Sequence, residues 1–216
     1  MKKIVLGFAA LVAAQPAFAQ DQAAAVSFSG ARIEARVGLD HPTISLEATD
    51  GVDSIDESVG KSGIAYGGEI GFDAMMSINS FAGVYAGVEG ASTKECTEVY
   101  GGDEACLKAG RNFTAGVRGG FVLGTSTALY AKGGYSNGRV RITYEDPAFP
   151  EDNFDLGDNL DGFHVGAGVE FSRGRFYGKL EYAYTNYGDY EYEDEDLGAA
   201  LDLDRHQVVA GVGLRF

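Results

Sequence analysis

Residues 205–216, RHQVVAGVGLRF, change character at every second position. One face of this stretch is mostly apolar and ends on an aromatic residue; it carries His206, Val208, Ala210, Val212, Leu214 and Phe216. The other face is small or polar; it carries Arg205, Gln207, Val209, Gly211, Gly213 and Arg215. A period of two indicates a β-strand. A strand with one apolar and one small or polar face suits the wall of a membrane β-barrel, between lipid and a polar lumen.

The opposite end of the chain carries an export pattern. Lys2 and Lys3 precede an apolar run over residues 4–14, which is too short to span a bilayer as a helix. Ala17-Phe18-Ala19 then provides the small residues that a signal peptidase recognises. The alternative, a retained membrane anchor, fits this short run less well. We therefore expect a signal peptide over residues 1–19 and one outer-membrane β-barrel domain over residues 20–216.

Alternation of this kind recurs along the rest of the chain and predicts eight strands. Their bounds are 27–39, 63–73, 81–91, 111–123, 127–143, 161–172, 175–187 and 205–216. In the third strand Phe81 and Tyr85 lie on the parity opposite to the apolar residues, and in the fifth a bulge is expected near Asn137-Gly138. Short links alternate with long ones, as in barrels with periplasmic turns and outer loops. An even strand count then places both termini in the periplasm.

The inward parities of these strands carry charges of both signs. They are Arg32, Glu34, Arg36, Glu69, Asp73, Glu89, Arg118, Lys132, Glu170, Lys179, Glu181 and Arg215. An eight-stranded barrel is just wide enough for side chains to fill it, and buried charges are costly unless they pair. We predict a ladder of ion pairs that plugs the lumen. The alternative is a narrow ion path along the same charges.

The acidic residues concentrate in the four long links. Residues 40–62, 92–110, 144–161 and 188–204 hold 25 of the 32 acids. The densest group is Glu191, Glu193, Asp194, Glu195 and Asp196. These loops would repel nucleic acid phosphates, whereas their carboxylates are the ligands that divalent cations prefer. A second interpretation is that the loops are simply solvated.

The chain has two cysteines, Cys96 and Cys106, both in the second long link. An exported protein passes through an oxidising compartment, which favours a disulfide between them. Such a bond would close an eleven-residue loop and contribute roughly 2.5–3 kcal/mol in the chain-entropy model. A zinc site would need further ligands, and the spacing differs from the redox C-x-x-C motif.

Nothing in the sequence assembles a catalytic constellation. No G-x-S-x-G motif is present, and Ser172 is expected at the end of its strand opposite to His164. We therefore predict neither an enzyme nor a cofactor.

Aromatic residues near the strand ends predict a girdle at each membrane interface. The inner girdle would contain Tyr130, Phe171, Phe176 and Tyr177, and the outer one Tyr66, Tyr135, Phe163, Tyr184 and Tyr187.

Together these features resemble a known family. An export signal, eight alternating strands, acidic outer links and a terminal Phe216 are similar to the OmpA-type small barrels, which include opacity-protein-like and porin-family proteins. Residues 181–184 (EYAY) and 211–216 (GVGLRF) look like the closing strands of that family. The resemblance implies an all-β, eight-stranded, antiparallel, up-and-down transmembrane β-barrel in the bacterial outer membrane.

The same resemblance implies partners and a choice of functions. Lipid and lipopolysaccharide of the outer membrane would surround the barrel, and Phe216 would be read by the barrel-assembly machinery. Because the chain stops at the eighth strand, we do not expect the cell-wall tether of larger members. A surface barrel for envelope structure or surface contact is the first expectation, and a small porin is the second.

Overall fold

The computed structural model describes residues 28–49, 54–98, 103–145, 147, 153–194 and 197–216. These residues contain ten β-strands. They are β1 (Gly30–Thr49), β2 (Ser54–Gly60), β3 (Gly63–Ser77), β4 (Ser80–Ala91), β5 (Lys94–Glu98), β6 (Glu104–Leu123), β7 (Thr127–Glu145), β8 (Phe154–Arg173), β9 (Phe176–Asp194) and β10 (Leu197–Arg215). No helix within these ranges is long and apolar enough to cross a membrane. The expected signal peptide, residues 1–19, lies outside the described residues.

Eight of the strands close into an antiparallel barrel. Each strand of the barrel pairs with the next in the order β1, β3, β4, β6, β7, β8, β9 and β10. The barrel closes because β10 pairs with β1, where Arg215 lies opposite Arg32. Closure leaves these strands without a free edge inside the membrane, which a sheet in lipid requires. The prediction of an eight-stranded antiparallel barrel is confirmed.

The two faces of the wall follow the parities expected from the sequence. On β1, Arg32, Glu34 and Arg36 are buried in the lumen, whereas Ile33 and Val37 are half exposed towards lipid. Phe81 and Tyr85 of β4 point into the lumen, which fixes the phase of this strand.

The strands are longer than predicted at their outer ends. β1 continues to Thr49, β6 begins at Glu104 and β8 begins at Phe154, so much of the sequence expected to form loops is paired strand. The short strands β2 and β5 are additional to the eight predicted ones. Above the membrane both faces of a strand meet water, so backbone pairing continues while the apolar alternation that reveals a strand disappears.

These extensions form two four-stranded sheets above the barrel. The first outer sheet has the order β2–β1–β10–β9, and the second has the order β5–β6–β7–β8. Pairing of β8 with β9 ends at Phe163 opposite Asn186, so the two sheets separate there.

Two local predictions need correction. The register shift between β6 and β7 begins at Gly138, as expected, but the extra residue is on β6, between Ala109 and Asn112, rather than on β7. Tyr130, Tyr177 and Tyr187 are buried inside the lumen and do not belong to the interfacial girdles. Tyrosine suits both a lipid interface and a packed lumen, so only its position in the alternation along the strand shows which face it occupies.

Glycine on an inward parity makes room for the large lumen side chains. A Cβ built on Gly120 would collide with the carbonyl oxygen of Leu129, and it would lie 2.8 Å from Cβ of Tyr130 and 2.9 Å from Cε1 of Phe81. On the neighbouring outward residue, Gly119, the nearest atom is the carbonyl oxygen of Phe81 at 3.5 Å. A larger side chain would therefore clash inside the lumen at position 120, whereas at position 119 it would extend into lipid.

We expect Gly120→Val to prevent or strongly reduce barrel formation, because its side chain would clash with the backbone of Leu129 and with the side chains of Tyr130 and Phe81. Gly119→Val should fold like the unaltered chain. The measurement is the fraction of refolded protein that shows a heat-dependent shift in gel mobility. Equal folded fractions for the two variants would contradict this packing of the lumen.

Candidate functional site

The lumen is lined by a balanced set of buried charges. Seven cations and seven anions within the described residues are at most 7% exposed. The cations are Arg32, Arg36, Arg118, Lys132, Lys179, Arg205 and Arg215, and the anions are Glu34, Asp40, Glu69, Asp73, Glu89, Glu170 and Glu181. Every ladder residue expected from the sequence is in this set, and Asp40 and Arg205 join them. The lumen therefore has no formal net charge from these groups.

At the periplasmic end, two arginines alternate with two carboxylates. Arg118 contacts Asp73 Oδ2 at 2.5 Å and Glu170 Oε2 at 3.0 Å. Arg215 contacts the same Asp73 oxygen at 3.0 Å and Glu170 Oε1 at 2.8 Å. The four residues come from β6, β3, β8 and β10, so this square ties together strands around the whole circumference.

Two glutamates organise the centre of the lumen. Glu69 accepts hydrogen bonds from Arg32 at 2.6 Å, Arg36 at 2.9 Å and Lys132 at 2.8 Å. Glu181, on the other side, accepts from Arg36 at 2.9 Å and Lys132 at 3.1 Å. Arg36 and Lys132 thus bridge β3 and β9 across the lumen.

The remaining ladder residues flank this centre. Lys179 lies 2.9 Å from Glu34 and 3.1 Å from Glu181, while Glu89 lies 3.1 Å from Arg36. Nearer the outside, Arg205 donates to Asp40 Oδ1 at 2.5 Å. Asp40 continues the inward parity of Arg32, Glu34 and Arg36, which was the sequence signal that could have revealed it.

Aromatic side chains fill the spaces between the charged layers. The Arg118 guanidinium lies 5.2 Å from the ring of Phe81 and 5.0 Å from that of Tyr130, and Lys132 Nζ lies 4.3 Å from the ring of Tyr85. Such placements favour a cation on the ring face. Phe28, just before β1, stacks on Phe81 with centroids 6.2 Å apart and is fully buried. Together with Ala128, the rings of Phe28, Phe81 and Tyr130 form what we call the aromatic floor, at the periplasmic end of the lumen.

A small polar cavity lies in the outer half of the lumen. Its lining includes Arg36, Glu89, Asn112, Thr114 and His164. Among the described residues, Oδ1 of Asn112 and Oγ1 of Thr114 have no hydrogen-bond partner, although both atoms are buried. Buried polar atoms of this kind are commonly satisfied by ordered water.

His164 lies beside this cavity and is hydrogen-bonded through both ring nitrogens. Its Nδ1 is 2.8 Å from Oγ of Ser136, and its Nε2 is hydrogen-bonded to the Tyr85 hydroxyl. A serine next to a histidine is the beginning of a nucleophile–base pair. Ser136, however, is fully buried in this structure. Ser172 lies near the opposite end of β8 from His164 and donates a hydrogen bond to Glu170.

The two cysteines form a disulfide that crosses a hairpin. Cys96 of β5 faces Cys106 of β6 in register, with their Cα atoms 4.1 Å apart. The bond attaches the outermost strand of the second outer sheet. Because both sulfur atoms are used in this bond, the nearby Glu104 does not complete a metal site.

The proposed cation cluster of the fourth link is only partly described. Glu191, Glu193 and Asp194 lie in β9 rather than in a loop, because β9 continues beyond the membrane to Asp194. Glu195 and Asp196 lie outside the described residues. The cation site therefore stays a prediction.

The C-terminal residue has the outward placement expected of it. Phe216 is 68% exposed on the lipid face, and its backbone N–H donates to the carbonyl of Ala31 at 2.8 Å. Its recognition by the assembly machinery stays a prediction.

A comparison with protein families identifies the chain. The model of the outer membrane protein beta-barrel domain matches residues 8–216. The chain belongs to this family. The family places the protein in the bacterial outer membrane, and the resemblance inferred from the sequence is confirmed. No curated protein matches the chain significantly.

The chain is also similar, at low sequence identity, to solved structures of small outer-membrane proteins. Neisserial surface protein A is 13% identical over 83% of this chain and 97% of its own, with a TM-score of 0.46. OprG of Pseudomonas aeruginosa is 12% identical over 88% and 97%, with a TM-score of 0.44. Ail, the attachment invasion locus protein of Yersinia pestis, is 11% identical over 84% and 99%, with a TM-score of 0.41.

We expect Arg118→Leu to destabilise the barrel by about 3–5 kcal/mol, because Asp73 and Glu170 would each lose a buried partner. Arg141→Leu is the matched control. Arg141 pairs with Asp155 on the surface, where both side chains are about half exposed, and such pairs contribute about 0–1 kcal/mol. Urea unfolding of the two variants in lipid measures the difference. Similar losses for both would contradict a tightly paired lumen.

The double variant Cys96→Ser/Cys106→Ser should leave the barrel folded while loosening the β5 hairpin. In the described structure β5 pairs only with β6, and its five residues supply few backbone bonds. Hydrogen exchange should accelerate for amides of residues 94–98 and stay unchanged for 84–88 in β4. Unchanged exchange in β5 would show that the disulfide is not what holds this strand.

Proposed function

We propose that this protein is a sealed outer-membrane scaffold whose acidic outer sheets contribute to envelope structure or to contact with other surfaces. The observation that carries the proposal is the paired charge network across the lumen. Because the network is neutral and reaches both walls, it offers an ion neither an open path nor a net attraction. The family match supports the membrane location, and the sealed lumen is our inference from the contacts.

The aromatic floor adds a second layer of closure. Phe28, Phe81, Ala128 and Tyr130 are each at most 4% exposed and pack together beneath the central charges. An ion that passed the charged layers would meet an apolar barrier, which is costly to cross without hydration. Closure therefore does not depend on any single ion pair.

The outer sheets are the part of the protein available to partners. Acidic residues remain concentrated there, and a cationic surface or divalent cations suit such a surface electrostatically. Lipid and lipopolysaccharide are the proposed partners of the barrel wall, and the assembly machinery is the proposed partner of Phe216. We also propose that residues 1–19 are removed on export and that the protein has no enzymatic activity.

A small porin is the second candidate function. The polar cavity around Asn112 and Thr114 favours it, because it places space for solvent above the central ladder. Conduction would then require the ladder to rearrange.

Single-channel recording in a planar bilayer tests the two functions. We expect the refolded protein to give no stable conductance steps, with insertion verified by heat-dependent gel mobility. The control variant replaces Arg36, Lys132, Glu69, Glu181, Phe28 and Phe81 by alanine, which removes two charges of each sign from the centre of the lumen and also opens the aromatic floor. This variant should conduct.

Stable steps from the unaltered protein would contradict the sealed lumen and favour the porin. Their ion selectivity would then indicate whether the acidic outer sheets attract cations at the mouth.

A further inference from the structure

Two strand segments carry closely similar short sequences. Residues 135–137 of β7 read Tyr-Ser-Asn, and residues 184–186 of β9 read Tyr-Thr-Asn. In both, the central hydroxyl residue points into the lumen, where Ser136 is 0% and Thr185 is 2% exposed. The flanking tyrosine and asparagine therefore share the lipid-facing side of the wall.

Each repeat meets one aspartate on the following strand. Asn137 lies opposite Asp161 of β8, and its Nδ2 donates to Oδ1 at 2.6 Å. The hydroxyl of Tyr135 donates to the same oxygen.

The second repeat has the same geometry. Asn186 lies opposite Asp204 of β10, with Nδ2 3.2 Å from Oδ1, and the Tyr184 hydroxyl donates to that oxygen. We call Tyr135, Asn137 and Asp161 the first triad, and Tyr184, Asn186 and Asp204 the second triad.

Both triads lie directly above the apolar band of the barrel. On β8, the outward residues that follow Asp161 are Phe163 and Val165, which are about half exposed. On β10, Asp204 is followed at the same parity by His206 and then by Val208, which is 47% exposed. Acyl chains cover the apolar band, so the headgroups of the outer leaflet lie at the level of the triads.

Each triad presents a carboxylate that is fixed but still open to a ligand. Both donors bind Oδ1, and within the described residues Oδ2 of Asp161 and of Asp204 accepts no hydrogen bond. The hydrogen bond from Tyr135 keeps the pKa of Asp161 below its ordinary value, so this group stays ionised near neutral pH. The ring of Tyr135 is 51% exposed beside it.

This combination of groups suits a sugar better than a phosphate. An ionised carboxylate is a strong acceptor for hydroxyl groups, and an exposed tyrosine ring can cover an apolar sugar face. A phosphate would instead be repelled by the carboxylate.

We propose that the two triads are binding sites for the saccharide headgroups of outer-leaflet glycolipids, one molecule at each triad. The acyl chains of each lipid lie along the apolar band below, and its sugar hydroxyls donate to Oδ2 of the aspartate. The inference depends on the membrane location of the barrel and not on whether the lumen is sealed, so conductance results leave it intact.

Native mass spectrometry of the detergent-refolded protein tests the proposal by counting retained lipids. The probe is the purified glycolipid of a bacterial outer membrane, added with and without a chelator. We expect the unaltered protein to retain two molecules, Asp161→Asn or Asp204→Asn to retain one, and the double variant to retain none. Loss of a charge-assisted hydrogen bond should weaken each site at least about tenfold.

Asp155→Asn is the matched control, because Asp155 is an exposed aspartate of the same strand above the headgroup level. It should retain lipid like the unaltered protein. Retention should also survive chemical removal of the lipid phosphates, and phosphatidylglycerol should not compete.

Three results would overturn the proposal. The double variant could retain as much glycolipid as the unaltered protein, phosphatidylglycerol could compete equally, or the chelator could release the lipid. The last result would assign the binding to a metal-bridged phosphate instead of a sugar. Heat-dependent gel mobility verifies that every variant is folded before its lipids are counted.

Discussion

The pairing of charges inside a narrow lumen is the constraint on which the rest of this structure depends. An isolated buried charge is costly, and removing one partner of a buried pair typically costs about 3–5 kcal/mol. Here seven cations and seven anions share that space, and bridging residues such as Arg36 join opposite walls. The register of each strand must therefore be correct, because a shift by one residue would move its charges into lipid.

Other features of the barrel follow from that constraint. Inward glycines such as Gly120 leave room for tyrosine and phenylalanine rings, and those rings separate the charged layers and close the periplasmic end. The outer face of the wall is then apolar, while paired charges and aromatic rings fill the interior that an apolar core occupies in a water-soluble protein. Above the membrane the constraint ends, and the strands continue as two separate outer sheets in water.

The sequence predicts the membrane-embedded part well and the outer part poorly. Where lipid and lumen impose opposite demands, alternation locates strands and their faces, as for Arg32, Ile33 and Glu34. Above the membrane this contrast is absent, so alternation does not distinguish β2, β5 and the outer end of β9 from loops. The sequence also does not predict which charges pair, because the stagger between strands determines that Arg36 contacts Glu181. Tyr130 and Tyr177 were misplaced because their side chains suit either face.

A double-mutant cycle between Arg36 and Glu181 tests the central claim most directly, since these residues face each other from β1 and β9 at 2.9 Å. The free energy of unfolding in lipid is measured for Arg36→Met, Glu181→Gln and the combined variant. The account predicts that the combined variant loses less stability than the sum of the single changes, with a coupling of about 1–3 kcal/mol. Losses that add within about 0.5 kcal/mol would contradict a lumen held together by paired charges.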